Sequence, residues 1–221
     1  RMSITNVRFP TADILAAELE GYLRDSCDRV ERAGAIRRRL AIVDAIEFVC
    51  TPATAPSLFA EIPTENALDQ NLRFLAAGGL IRKHPTDPAE GERLRRYLLP
   101  YHWKNGDRPV WTAQGGKWTT LTIYTAPRHS FGYVHALRTG PANAAKKLVT
   151  QRNRGGWLPN DLVCNDGRVW QIKNAHGITL ADPRPIYLPD EADFFELCGI
   201  QQSPPEYREP GRWQFLEEPH R

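Results

Sequence analysis

The hydrophobic pattern of the first half divides into two helices and a set of short strands. Leu15, Leu19, Tyr22 and Leu23 recur at i, i+4, i+7 and i+8 behind Pro10, which predicts a helix to about Asp25, capped by Thr11 or Asp13. Val30 begins the approach to a small-residue turn at Gly34 and Ala35. Residues 45–50 are nearly all apolar, the signature of a short strand covered on both faces. After a Pro- and Ala-rich loop at 51–63, Leu68, Leu72 and Leu75 mark a second helix, capped by Thr64 and ended by Gly78-Gly79. Residues 80–91 read as a loop or lid. Tyr97, Leu99 and Tyr101 alternate as in a strand, and Asn105-Gly106-Asp107 is a hairpin turn. A strand at 110–113, a turn at 115–116 and a strand at 119–125 complete a meander. In the last of these, Leu121 and Ile123 face one way, and Thr120, Thr122 and Tyr124 the other.

In the second half, helices are predicted over 131–138 and 142–150, separated by Thr139-Gly140-Pro141. A basic loop spans 151–156. Residues 161–164 and 168–172 form a hairpin around Asn165-Asp166-Gly167. Asp190, with Asp193 three residues on, caps a last helix that buries Phe194, Phe195 and Leu197 and stops at Gly199. An ordered tail follows from Ser203.

Composition adds little by itself. The 221 residues are 41% hydrophobic and 25% charged, as in an ordinary globular protein of one domain or two packed ones. Net charge is only +3, but the basic residues cluster at 37–39, 93–96 and 146–154. Cys27, Cys50, Cys164 and Cys198 form no Cys-x-x-Cys pair, which argues against zinc and against a disulfide framework. The histidines show no metal-ligand spacing. No apolar run approaches ~18 residues and the N-terminus is not signal-like, so no membrane partner and a reduced cytoplasmic setting are expected.

Chemistry concentrates in Ala33 to Cys50, AGAIRRRLAIVDAIEFVC. The turn at Gly34 leads through Arg37, Arg38 and Arg39 into the strand at 45–50. Backbone N–H groups of such a turn and bidentate guanidinium groups both suit phosphate. AGAIRRR resembles the Gly-Ser-x-Arg-Arg turn of family X DNA polymerases. Residues 119–141, ending HALRTGP, resemble that family's last palm strand and its Tyr-Phe-Thr-Gly-Ser turn. KKLVTQRNRGGWLP resembles its thumb helix and loop, and LPDEADFFELCGIQQSPPEYRE its closing segment. The set, in this order, spans almost the whole chain and resembles small stand-alone members. It implies an α/β (α+β) fold: a nucleotidyltransferase palm with a mixed central sheet and flanking helices over 1–131, and a small α/β thumb over 132–221.

The resemblance also implies site residues. Gly34, Ala35, Arg37 and Arg38 would hold the triphosphate of a nucleotide, and Arg138, Thr139 and Gly140 its sugar and base. Lys146, Lys147, Arg152 and Arg154 would follow the backbone of a DNA or RNA end, while Trp157 reads as a core residue. Family members place three carboxylates on adjacent palm strands to hold Mg²⁺ or Mn²⁺. The corresponding positions here are Ala45, Glu47 and Thr122. Ala45 cannot bind a metal and Thr122 only weakly; Glu47 is a vestigial catalytic and metal residue or a structural carboxylate. Asp44, next to Ala45, is expected to point to the opposite face. The expectation is a nucleotide- and nucleic-acid-binding pseudoenzyme with lost or strongly reduced nucleotidyl transfer, and Mg²⁺ or Mn²⁺ only if activity is retained. Two alternatives stand beside it: an active polymerase inactivated at Ala45, and an interaction subunit with a protein partner that keeps only the fold. The family's thumb turn has a cis peptide after its glycine, so Gly140–Pro141 is expected to be cis.

Overall fold

The computed structural model describes residues 4–53, 66–85, 93–104, 108–114, 116–208 and 212–216. The chain forms two compact units, Arg1–Thr125 and Ala126–Arg221. The first opens with β1 (Val7–Arg8) and helix α1 (Phe9–Arg24). Pro10 lies in the first turn, where its missing N–H costs nothing, and Arg8 rather than Thr11 or Asp13 is the N-cap residue. Leu15, Leu19 and Leu23 are buried as the spacing requires, but Tyr22 is exposed and meets Trp111 edge-on. There follow β2 (Cys27–Ala33), the short helix α2 (Gly34–Arg37), β3 (Ile42–Val43) and β4 (Ala45–Pro52).

Helix α3 (Ala67–Ala77) buries Leu68, Leu72 and Leu75. Its cap is Asn66, whose side chain accepts from the Asp69 N–H at 2.8 Å; Thr64 lies outside the described residues. The short β5 (Arg82–Lys83), β6 (Leu94–Lys104), β7 (Arg108–Trp111) and β8 (Lys117–Thr125) complete the unit. Lys104 pairs with Arg108, so β6 and β7 close a hairpin whose turn lies outside the described residues. The sheet order is β2-β4-β8-β6-β5, with β7 on β6; β4 and β8 run parallel and the other pairs antiparallel. Helices α1 and α3 supply apolar side chains to one core with β4, β6 and β8. Buried Arg95 is held by the Asp69 carboxylate through two hydrogen bonds, at 2.6 and 2.9 Å.

The second unit contains α4 (Phe131–Thr139), α5 (Ala142–Val149), the sheet of β9 (Leu162–Asn165), β10 (Arg168–Lys173) and β11 (Thr179–Pro185), and α6 (Glu191–Leu197). The sheet is antiparallel in the order β11-β10-β9. Asp166 and Gly167 both have positive φ, as a two-residue hairpin turn requires. Asp190 and Asp193 form the expected capping box; Phe194 and Phe195 are buried and Leu197 partly so. Arg208, only 1% exposed, forms a buried ion pair with Glu191 and donates to the Ser203 carbonyl, which ties the tail to α6.

Candidate functional site

The turn at Gly34 is built where strand β2 ends against β4. Gly34 has φ of 59°, the left-handed region that favours glycine. Gly34, Ala35 and Ile36 are buried, Arg37 and Arg38 are half-buried, and Arg39 is exposed. The Arg38 and Leu40 N–H groups close the turn on the carbonyls of Gly34 and Ala35, at 3.2 and 3.1 Å.

Strand register sets what faces this turn. Ala33 pairs with Glu47, Glu47 with Thr122, and Thr122 with Arg96, so these four form one row across β2, β4, β8 and β6. Directly paired residues share a face of the sheet, so Glu47, Thr122 and Arg96 stand on one side, with Ala45 and Thr120 in the next row on that side. Thr122 is 3% exposed. The row therefore carries one carboxylate, one hydroxyl and one guanidinium.

The Glu47 carboxylate packs against the turn. Its Oε1 accepts from the Tyr124 hydroxyl at 3.1 Å. Its Oε2 lies so close to Gly34 that a Cβ there would come within 1.5 Å of it. Asp44 lies outside β4, exposed, with Oδ1 accepting from the Ala45 N–H at 3.0 Å. Ala45 has no donor atom for a metal, and Arg96 brings positive charge into the row. The described residues contain no group of three His, Cys, Asp or Glu side chains able to hold a metal ion. The donor set does not fit a pair of catalytic Mg²⁺ or Mn²⁺ ions, each of which needs several oxygen ligands.

In the second unit, exposed Arg138, buried Thr139 and half-buried Gly140 sit at the end of α4. There is no cis peptide bond among the described residues, so the cis expectation at Gly140–Pro141 fails. Pro141 is the extended N-cap residue of α5, a position that trans proline fills without cost. The assignment of Arg138, Thr139 and Gly140 to a nucleotide then rests on the resemblance of the motif alone. Lys146 and Lys147 are exposed in the last turn of α5, and Arg152 and Arg154 are exposed in the 3₁₀ turn that follows. Two of the four also have structural contacts. Arg152 donates to the Cys198 carbonyl at 3.0 Å, and the Lys147 ammonium lies 5.3 Å from the Trp157 ring centroid. Trp157 itself packs on Trp213 and Phe215.

Sequence reasoning did not single out Tyr124 or Arg96. Their relation to Glu47 arises only from the pairing of β4, β8 and β6, which no local pattern announces. No helix among the described residues is long and apolar enough to cross a membrane. No protein-family model matches the sequence, and no curated protein matches it. Among solved structures, the chain is similar to the crystal structure of Leishmania infantum polymerase beta in a ternary P/T complex. The TM-score is 0.66 over 93% of this chain and 77% of that one, at 15% sequence identity. This protein is thus a mixed α+β chain with a fold like that of polymerase beta.

Proposed function

We propose that this protein binds a nucleotide or a nucleic-acid end and does not transfer a nucleotidyl group. The observation that carries the reading is the row at Glu47. Two of its would-be metal positions are Ala45 and Thr122, and the remaining carboxylate is held by Tyr124 and pressed against Gly34. A carboxylate so engaged is a structural prop for the turn. Arg37 and Arg38 follow that turn directly and are the groups suited to a triphosphate, since guanidinium binds phosphate oxygens in bidentate fashion. The second unit's exposed cations at Lys146, Lys147, Arg152 and Arg154 suit a phosphate backbone.

Primer extension and end addition, with Mg²⁺ or Mn²⁺ and excess protein, test the reading. No incorporation is expected, while nucleotide binding weakens in Arg38→Ala. Ala45→Asp alone restores little, because Thr122 still lacks an acid; Ala45→Asp with Thr122→Asp restores more. Time-dependent, template-directed extension by the unaltered chain overturns the proposal.

A further inference from the structure

A second site lies in the first unit, where the start of α1 meets the end of β6 and the start of β8. A cleft of 580 Å³ is lined there by Asn6, Arg8, Thr11, Tyr101, Trp103 and Lys117 among others. None of these residues belongs to the turn at Gly34 or to the row at Glu47.

Its walls are polar in a particular way. Among the described residues, the lining contains two cations, Arg8 and Lys117, and no carboxylate. Arg8 is also the N-cap residue of the 16-residue α1, which has no side-chain cap and no acid in its first turn, so the positive end of the helix adds to the same charge. Thr11 and Tyr101 line the cleft and are otherwise buried, at 5% and 4% exposed. Two hydroxyls on one cleft suit an occupant with polar atoms. Trp103 is 39% exposed, and the Lys117 ammonium stands 5.9 Å from its ring centroid. A flat, apolar surface and a cation are therefore within reach of a single ligand.

We propose that this cleft binds a nucleoside monophosphate group, either a free nucleotide or the terminal residue of a single strand. Arg8 and Lys117 take the phosphate, Trp103 stacks on the base, and Thr11, Tyr101 and Asn6 supply hydrogen bonds to the sugar and phosphate. The volume falls within the range of cavities that enclose small ligands. The site is independent of the nucleotide turn proposed above.

Isothermal titration of the full chain with AMP, inorganic phosphate and a 5′-phosphorylated dinucleotide tests it. AMP or the dinucleotide is expected to saturate, with phosphate alone binding more weakly. Trp103→Ala weakens binding by roughly five- to a hundredfold, the range of one base stack. The titrations are run in the Arg38→Ala chain, which silences the turn proposed above, and there Lys117→Glu weakens binding with a loss of salt dependence. Thr11→Val weakens binding while the melting temperature holds or rises, which separates lost recognition from lost folding. Failure of both nucleotide probes to saturate overturns the assignment. So does binding that survives Trp103→Ala and Lys117→Glu, or that is abolished by Arg38→Ala, which would place the ligand on the turn.

Discussion

At the scale of single residues, Gly34 and Glu47 are coupled by contact. A side chain at 34 meets a φ of 59° and a carboxylate oxygen 1.5 Å from its Cβ. Gly34→Ala is expected to destabilise the first unit by roughly 1–2 kcal/mol for the backbone conformation, and by more for the clash. Glu47→Ala in the same chain should recover the clash portion, and denaturant unfolding of the single and double variants measures it. The thiol of Cys198 makes a second residue-scale case. Burial pushes it up from its ordinary value of 9.0 to about 12, and the Cys164 thiol likewise to about 11. A neutral thiol is the folded form, so its contribution is complete below pH 9.0 and is lost as pH rises toward about 12. In that window the unfolded chain gives up a proton that the folded chain keeps, and stability falls by about 1.4 kcal/mol per pH unit for such a thiol. Melting curves across this range, compared with Cys198→Ala, should show a shallower alkaline decline in the variant.

Between elements, α4 approaches the start of α6 backbone to backbone. A Cβ at Gly132 would come within 2.0 Å of the Asp190 carbonyl oxygen, and the Gly132 N–H donates to the Leu188 carbonyl at 2.9 Å. The neighbours are backbone and cannot swing away, so Gly132→Ala is expected to cost about 3 kcal/mol or more, the upper end of ordinary overpacking. Hydrogen exchange over 126–208 reads the loss. Elements whose burial follows a local period were legible in the sequence: α1 through Leu15, Leu19 and Leu23, and α6 through its capping box and its phenylalanines. Strand β11 was not, because Thr179–Pro185 is mostly exposed and carries Asp182, Pro183 and Pro185. Residues of that kind rarely mark a strand, and here the edge position tolerates the prolines. The candidate site divides the same way. The turn at Gly34 and its arginines can be read along the chain, while the grip of Tyr124 on Glu47 joins residues 77 positions apart.

Across the whole molecule, charge is unevenly used. A chain of net charge +3 places Lys146, Lys147, Arg152 and Arg154 within one helix turn and the loop behind it. Affinity for a primer–template duplex should therefore fall steeply and log-linearly with salt, each lost phosphate contact reducing the slope by about 0.9. Fluorescence anisotropy with Lys146→Glu and Arg154→Glu should show weakening that is uniform across sequences. Arg152→Glu is a poorer probe, because it also removes the hydrogen bond to the Cys198 carbonyl. Binding that ignores salt would point instead to the interaction-subunit alternative.

The contact between Glu47 and Gly34 also fixes the order in which new chemistry could be selected in this scaffold. A single acid at position 45 or 122 gains little while the existing carboxylate is committed to Tyr124 and the turn. Releasing it first, by Tyr124→Phe, removes a support of the turn before any metal is there to replace it. Each single step thus gains little or does harm, and only the combination is favourable. A library that mutates 45, 122 and 124 together can cross that valley; one that accumulates point changes under selection for nucleotide addition stalls at its first round.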